Sequence, residues 1–322
     1  MTALLILTYN NSEATIACIE SILRYNTAPV KFFIVDNGST APDAVPGLES
    51  WLRPRFDGEY LRLTDEDEPK GILPRMTLLA SATNDGYARG NNKGLRHIFA
   101  DEEIEDIAIL NNDILFVEDA IPRICESYVS IANRGIVTPL LLRPDGDVDM
   151  ASVRYAPSAW TIMTRFGYKF PLLMRLVDRD WIDMQVLKSV PHTADPIECQ
   201  LPNGSFMYAS AGVWKAVEGF DSRTFLYYEE NILYSKTSRL GLHNYCVPSA
   251  RVIHLGAGTT GRKFSPFLQK CEMRSADVYL RHYASLNLAK RICWCIIKWI
   301  FPLKVAAVAA ARTVVNLFRR AE

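Results

Sequence analysis

An α/β fold with a mainly parallel sheet is what this sequence predicts, and three observations carry the prediction. Apolar runs that read as buried strands recur along the first half, with helical stretches between them. Two of these runs, Phe33-Ile34-Val35-Asp36-Asn37-Gly38-Ser39 and Ile107-Ala108-Ile109-Leu110-Asn111-Asn112-Asp113, end in polar residues and a carboxylate. The composition, 49% hydrophobic and 22% charged over 322 residues, supplies an ordinary globular core.

The first strand is Leu4–Leu7. Thr8-Tyr9-Asn10-Asn11 follows it, and then a helix over Ser12–Tyr25, where Ile16, Ile19, Ile22 and Leu23 recur at helical spacing and Ser12 or Asn11 stands at the N-cap. Lys31–Val35 and Tyr60–Leu63 read as strands. Residues 64–78 mix acids with prolines and read as an exposed insertion. Asn91–Phe99 reads as a helix, Ile107–Leu110 as a central strand, Val117–Ala132 as a helix and Gly135–Thr138 as a strand. Strands alternating with helices place the strands parallel and the helices on both faces.

The second half is less regular. Residues 154–200 are rich in aromatics, Met and Pro and show no clear period. Ser210–Val217 predicts a short helix ended by Gly219, Phe225–Leu240 a helix in its later part, and Arg251–His254 a short strand. The sequence shows no internal repeat.

From Leu286 to Phe318 the chain places Ile292, Trp294, Ile296, Ile297, Trp299, Ile300 and Phe301 among Lys290, Arg291, Lys298 and Lys304. Lys298, Pro302 and Lys304 interrupt the run of about 20 apolar residues that a spanning helix needs. The pattern fits an amphipathic helix lying in the membrane interface. The alternative is a helical pair packed on the domain or on a second subunit. The expected division is residues 1–265 for the α/β domain and 266–322 for a helical, membrane-associating extension.

Formal net charge is zero, so no global field favours nucleic acid. The seven cysteines include no Cys-x-x-Cys pair and their number is odd, which argues against structural zinc and a disulfide framework and for a reducing compartment. The first residues enter a strand directly, without the charged start and cleavage site of a signal peptide, so a cytoplasmic protein is expected.

In open α/β sheets, ligands bind at the carboxyl ends of the strands. The two polar strand ends therefore set two carboxylates over one crevice, one suited to accepting hydrogen bonds from a nucleobase and one to holding a divalent metal against a pyrophosphate.

Four motifs occur in order: Thr8-Tyr9-Asn10, Val35-Asp36-Asn37-Gly38-Ser39, Asn84-Asp85-Gly86-Tyr87-Ala88-Arg89-Gly90-Asn91-Asn92 and Leu110-Asn111-Asn112-Asp113. Together they resemble the family 2 inverting glycosyltransferases with the GT-A fold, most of all the bacterial rhamnosyltransferase-like branch that builds surface polysaccharides. The resemblance covers roughly the first 260 residues. It implies metal-dependent, inverting transfer of a sugar from a UDP- or dTDP-linked donor to a hydroxyl of a glycan acceptor. It also implies Mn²⁺ or Mg²⁺ as cofactor. With the amphipathic tail it implies a lipid-linked acceptor met at the inner face of the cell membrane. The oligomeric state stays open.

The resemblance also implies roles. Thr8, Tyr9, Asn10, Asp36 and Asn37 line the nucleoside pocket. Asn84, Gly86, Tyr87, Asn91 and Asn92 belong to a loop that positions nucleotide and sugar, and backbone N–H groups at a helix N-terminus are a ready anion site. Asn111, Asn112 and Asp113 stand at the metal motif, with Asp113 as the direct ligand and His254 as a further one. Asn203-Gly204-Ser205-Phe206-Met207, Gly219-Phe220-Asp221 and Phe225-Leu226-Tyr227-Tyr228-Glu229-Glu230 match the acceptor side. There Glu230 takes the place of the family's catalytic Asp, one methylene longer, with Glu229 as the fallback. The next family acid is replaced by Asn231-Ile232-Leu233.

Gly256-Ala257-Gly258-Thr259-Thr260-Gly261 fits a dinucleotide-binding pattern but lacks the strand–helix context that pattern requires. A loop closing over the pyrophosphate through Arg262 or Lys263 is the better expectation. A sugar nucleotidyltransferase is disfavoured, because Thr8-Tyr9-Asn10-Asn11 stands where those enzymes carry a Gly-rich basic loop. The remaining alternative is a catalytically inactive, nucleotide-binding scaffold subunit.

Overall fold

The structure is a computed structural model that describes residues 1–168, 193–256 and 265–321. Arg262 and Lys263 lie outside the described residues. The strands are β1 (Thr2–Thr8), β2 (Val30–Asp36), β3 (Tyr60–Thr64), β4 (Met76–Ala80), β5 (Asp106–Asn111), β6 (Ile114–Phe116), β7 (Arg134–Leu142), β8 (Ile197–Cys199), β9 (Phe206–Ser210) and β10 (His243–His254). The helices are α1 (Ser12–Tyr25), α2 (Ala44–Arg55), α3 (Gly86–Ile98), α4 (Ala120–Ser130), α5 (Ala159–Tyr168), α6 (Ala211–Ala216), α7 (Glu229–Arg239), α8 (Pro266–His282) and α9 (Leu288–Ala321).

One sheet runs in the order β3-β4-β2-β1-β5-β9-β7-β10-β6, with β8 paired to β10. β3, β4, β2, β1 and β5 are parallel neighbours. Their runs are apolar almost throughout because both faces are covered; β1 and β2 are buried nearly end to end. The register sets Thr8 opposite Asp36, Leu7 opposite Asn111 and Asp36 opposite Ala80, so these strands end along one edge. β9 runs antiparallel to β5 and pairs Phe206 with Leu110, which brings Asn203–Ser205 to the same edge. β10 ends there too, with His254 opposite Ile114 of β6.

Several elements differ from expectation. The stretch 64–78 is not wholly an exposed insertion: Met76, Leu78 and Leu79 are fully buried in β4, between β2 and β3. The acids and prolines ahead of that short run mask its period. α2 was hidden by Pro46, Gly47 and Pro54, all poor helix formers, yet Leu48 and Leu52 bury its inner face. β9 was missed because its five residues carry no polar alternation; Phe206 to Ala209 are buried on both faces.

A second apolar cluster joins Ile162, Met163 and Phe166 of α5 to Ile232 of α7, Met273, Ala276 and Leu280 of α8, and Trp294 and Phe301 of α9. The sequence left lipid and a second subunit equally open as neighbours for Trp294, Trp299 and Phe301. The structure separates them. Trp294 and Phe301 are buried against Phe166, and the Trp294 indole N–H donates to Asp277 at 2.8 Å. Trp299 is 82% exposed. With Leu288, Ile292, Ile296 and Leu303 it forms an outward stripe at helical spacing. The segment Leu288–Ala310, 23 residues, is long and apolar enough to cross a membrane.

Candidate active site

The crevice is built by loops that grip one another. Asn10, at φ 53°, accepts from the backbone N–H groups of Thr40 (2.7 Å) and Ala41 (2.9 Å). Its own N–H donates to Ser39 Oγ at 2.7 Å. The two Asp36 carboxylate oxygens accept from the backbone N–H and the hydroxyl of Ser39. Asp36 is buried, and each carboxylate oxygen keeps a further lone pair. Gly38 sits at φ +71°, and a Cβ there would lie 2.2 Å from the Thr83 carbonyl carbon, so only glycine lets the loop after β2 meet the loop before α3.

Three backbone N–H groups at the start of α3 already have partners within the protein. The Asp85 N–H donates to Asn37 Oδ1 (3.2 Å), the Gly86 N–H to Asn84 Oδ1 (2.9 Å) and the Tyr87 N–H to the Phe225 carbonyl (2.7 Å). Asn37 also donates to the Gly86 carbonyl (3.0 Å) and Asn84 (3.1 Å). Asn92 exchanges hydrogen bonds with the Phe220 backbone (2.8 and 2.9 Å). Asn91 donates to the Tyr87 carbonyl at 2.9 Å, leaving its buried oxygen without a partner. Asn112 donates to Thr8 Oγ1 (3.2 Å), the Asn11 carbonyl (3.0 Å) and Thr15 Oγ1 (3.1 Å). The structure thus gives Asn37, Asn84, Asn91, Asn92 and Asn112 bracing bonds within the protein. Tyr9 and Asn111 are partly exposed at the strand ends, and their side chains make no hydrogen bond among the described residues.

The structure brings Asp113 and His254 together. The β6–β10 pairing sets His254 Nε2 3.4 Å from Asp113 Oδ1, with side chains 22% and 6% exposed respectively. Asp113 Oδ1 is buried and has no hydrogen-bond partner. A buried carboxylate oxygen left unpaired is costly unless a cation or donor meets it. A hard divalent cation fits this oxygen–imidazole pair. No cluster of three or more His, Cys, Asp or Glu occurs among the described residues, so water and phosphate oxygens would complete the shell.

The acceptor-side motif joins the same edge. The Asn111 N–H donates to the Ser205 carbonyl at 2.9 Å, and the Gly204 N–H donates to Glu230 Oε1 at 2.7 Å. The Tyr87 hydroxyl donates to the Gly204 carbonyl at 2.6 Å. Burial and the charges of Glu229 and Glu230 push that phenol well above its ordinary value, so it stays a donor. Glu230 is paired with Arg154, a residue that sequence reasoning missed because it lies in the aperiodic region after β7. Glu229 is buried behind it with one oxygen unpartnered. Burial raises its carboxyl to about 8.

No protein-family model matches the chain. The sequence is similar to N-acetylglucosaminyl-diphospho-decaprenol L-rhamnosyltransferase from two strains of Mycobacterium tuberculosis. Each is 23% identical over 241 residues, which covers 73% of this chain and 69% of the relative. The fold is that of GalNAc-T7, solved with UDP, GalNAc and Mn²⁺ (TM-score 0.58, 11% identity, 88% of this chain and 49% of that one). It is also that of the mannosyltransferase PcManGT from Pyrobaculum calidifontis, solved with GDP-Man and Mn²⁺ (TM-score 0.52, 12% identity, 98% of this chain and 80% of that one). The match spans about half the GalNAc-T7 chain. The sequence is thus similar to rhamnosyltransferases and the fold is that of these glycosyltransferases, which agrees with the motifs' resemblance to family 2 and the GT-A fold.

Proposed function

We propose that this chain transfers a sugar, with inversion, from a UDP- or dTDP-linked donor to a hydroxyl of a lipid-linked glycan in surface polysaccharide biosynthesis. The observation that carries this reading is the buried Asp113 oxygen that makes no hydrogen bond and lies 3.4 Å from His254 Nε2, at the carboxyl edge of the sheet. Thr8, Tyr9, Asn10 and Asp36 border the nucleoside side of the crevice. Asn37, Asn84, Gly86, Asn91, Asn92 and Asn112 hold its walls. Asp113 and His254 would hold the divalent metal, Mn²⁺ or Mg²⁺, whose charge would stabilise the departing nucleoside diphosphate.

Glu230 takes the proton of the acceptor hydroxyl as that oxygen bonds to the anomeric carbon. The bond from that carbon to the phosphate oxygen breaks, and its electron pair leaves with the nucleoside diphosphate. A positioned base contributes about 10²–10⁴-fold. The Gly204 N–H orients this carboxylate. A relative that acts on a diphospho-decaprenol acceptor supports the lipid-linked assignment, and its being a transferase weighs against an inactive scaffold. The outward apolar stripe of α9 supports peripheral contact with the inner face of the membrane.

The test is a donor screen. Purified protein with Mn²⁺ or Mg²⁺ is incubated with UDP-, dTDP- and GDP-sugars, with N-acetylglucosaminyl-diphospho-farnesol as acceptor, beside Asp113→Ala and Glu230→Gln. Metal-dependent transfer from one donor, lost in both variants, is expected. A protein that binds no nucleotide and turns over no donor overturns the reading.

A further inference from the structure

A cavity of about 310 Å³ lies beside Glu230, lined also by Arg154, Thr161, Arg165, Tyr227, Tyr228 and Glu272. It holds two guanidinium groups and two carboxylates, and each guanidinium is taken by a carboxylate. Arg154 pairs with Glu230, and Arg165 lies 3.5 Å from Glu272. The Arg154 Nε–H is buried and makes no hydrogen bond, so this guanidinium keeps an unmet donor in spite of its ion pair. That pairing also occupies the Glu230 oxygen that accepts from the Gly204 N–H. Both bonds fall on the same oxygen, Oε1, and the other carboxylate oxygen makes no hydrogen bond among the described residues.

The position of the cavity indicates what it is for. Arg165 is followed in α5 by Phe166, whose ring packs on Trp294 and Phe301 of α9 at 5.5 and 5.2 Å. The opposite face of α9 exposes Ile292, Ile296, Trp299 and Leu303. Arg165 thus stands next in sequence to a residue that packs on α9, the helix whose outer side is apolar. A ligand with an anionic head and a hydrocarbon chain matches both features. Arginine forks bind phosphate oxygens bidentately, and a diphosphate offers oxygens enough for both guanidinium groups.

We propose that this cavity binds the diphosphate of a prenyl-diphosphate-linked acceptor, and that the diphosphate draws Arg154 off the Glu230 oxygen it shares with the Gly204 N–H. This rests on the transferase reading above. Arg165 is an anchoring residue, and Arg154 a positioning residue that acts through Glu230.

The test reads the cavity apart from turnover. Farnesyl diphosphate is titrated calorimetrically into the full chain with EDTA present, so that no metal can hold a diphosphate at Asp113. The expected results are binding by the native protein, at least tenfold weaker binding by Arg165→Gln, recovery in Arg165→Lys, and tighter binding by Glu272→Gln, which releases Arg165. Inorganic pyrophosphate should bind more weakly than farnesyl diphosphate. In steady state, Arg165→Gln should raise the KM for N-acetylglucosaminyl-diphospho-farnesol at least tenfold and leave that for octyl N-acetylglucosaminide within twofold. Equal binding by native protein and Arg165→Gln overturns the proposal, as does equal loss on both acceptors or pyrophosphate binding as tightly as the farnesyl compound. Absence of turnover with every donor, while farnesyl diphosphate still binds through Arg165, would sink the transferase reading and leave the cavity assignment standing.

Discussion

His254 Nε2 lies 3.4 Å from Asp113 Oδ1, and the two residues are brought together by backbone pairing rather than by sequence proximity. β6 and β10 run antiparallel with His254 opposite Ile114, and the Leu255 N–H donates to the Asp113 carbonyl at 3.0 Å. The pair is thus preorganised by main chain on both sides. Asp113→Asn keeps the shape and removes the charge, so metal-dependent nucleoside diphosphate release should fall by at least about 100-fold, a loss of several kcal/mol in leaving-group stabilisation. His254→Ala should be milder and should show mainly as a raised Mn²⁺ requirement, read by metal titration of the initial rate.

The two adjacent glutamates make separable predictions. Burial holds the Glu229 carboxyl at about 8, against an ordinary value of 4.5. Between these values the folded protein keeps a proton that the unfolded chain has released. Stability should therefore be highest at the acid end of this window, fall as pH rises from about 5 to 8, and level off above it. Thermal melts across that range should show this slope in the native protein and a flatter line in Glu229→Gln. Protonated Glu229 is a poor base at neutral pH. Glu230→Gln should lower kcat by about 10²–10⁴-fold, and Glu229→Gln by far less. A rate that climbs through pH 8 and is lost in Glu229→Gln would move the base to Glu229.

Gly86 carries a backbone role that its place in a polar loop does not reveal. It sits at φ +79°, and a Cβ there would lie 2.2 Å from the Phe225 carbonyl oxygen, the acceptor of the Tyr87 N–H. Gly86→Ala should cost about 1–3 kcal/mol in strained backbone alone, with the clash adding to it. Urea denaturation measures the stability loss. Because Phe225 leads into Glu229 and Glu230, kcat should fall as well in whatever fraction remains folded.

The legibility of the site followed the range of its contacts. The strand ends carrying Asp36 and Asp113 were readable because an apolar run stopping in polar residues is a local signal. That His254 belongs with Asp113 came only from motif resemblance, since strand pairing in β6 and β10 is non-local. That two backbone N–H groups at the start of α3 already have partners was hidden for the same reason: their acceptors, Asn37 and Phe225, are distant in sequence. Arg154 was invisible because nothing in the aperiodic stretch around it marks a partner of Glu230. β4 was masked by the acids and prolines ahead of its short run, and β9 was missed because its five residues form too short an apolar run to stand out in the aperiodic second half.

The two sides of α9 separate a packing role from a surface role. Trp294 and Phe301 belong to the core shared with α5 and α8, where Asp277 meets both the Trp294 indole and the Lys298 ammonium at 2.8 and 2.9 Å. Deleting residues 286–322 would therefore unpack that core as well as remove the outer stripe, and lost vesicle binding by such a truncation would be uninformative. Trp299→Glu with Leu303→Glu changes only side chains that are 82% and 72% exposed. If the stripe enters the interface, each substitution forfeits about 1.5–3 kcal/mol of apolar burial. Sedimentation with anionic vesicles should then show partitioning reduced on the order of a hundredfold or more, while the melting temperature stays near the native value. Trp294→Ala should do the reverse, lowering the melting temperature by several degrees through a core cavity with little change in vesicle binding at a temperature where it is folded. Unchanged partitioning in the double glutamate variant would turn the stripe from a membrane surface into a candidate face for a second protein chain.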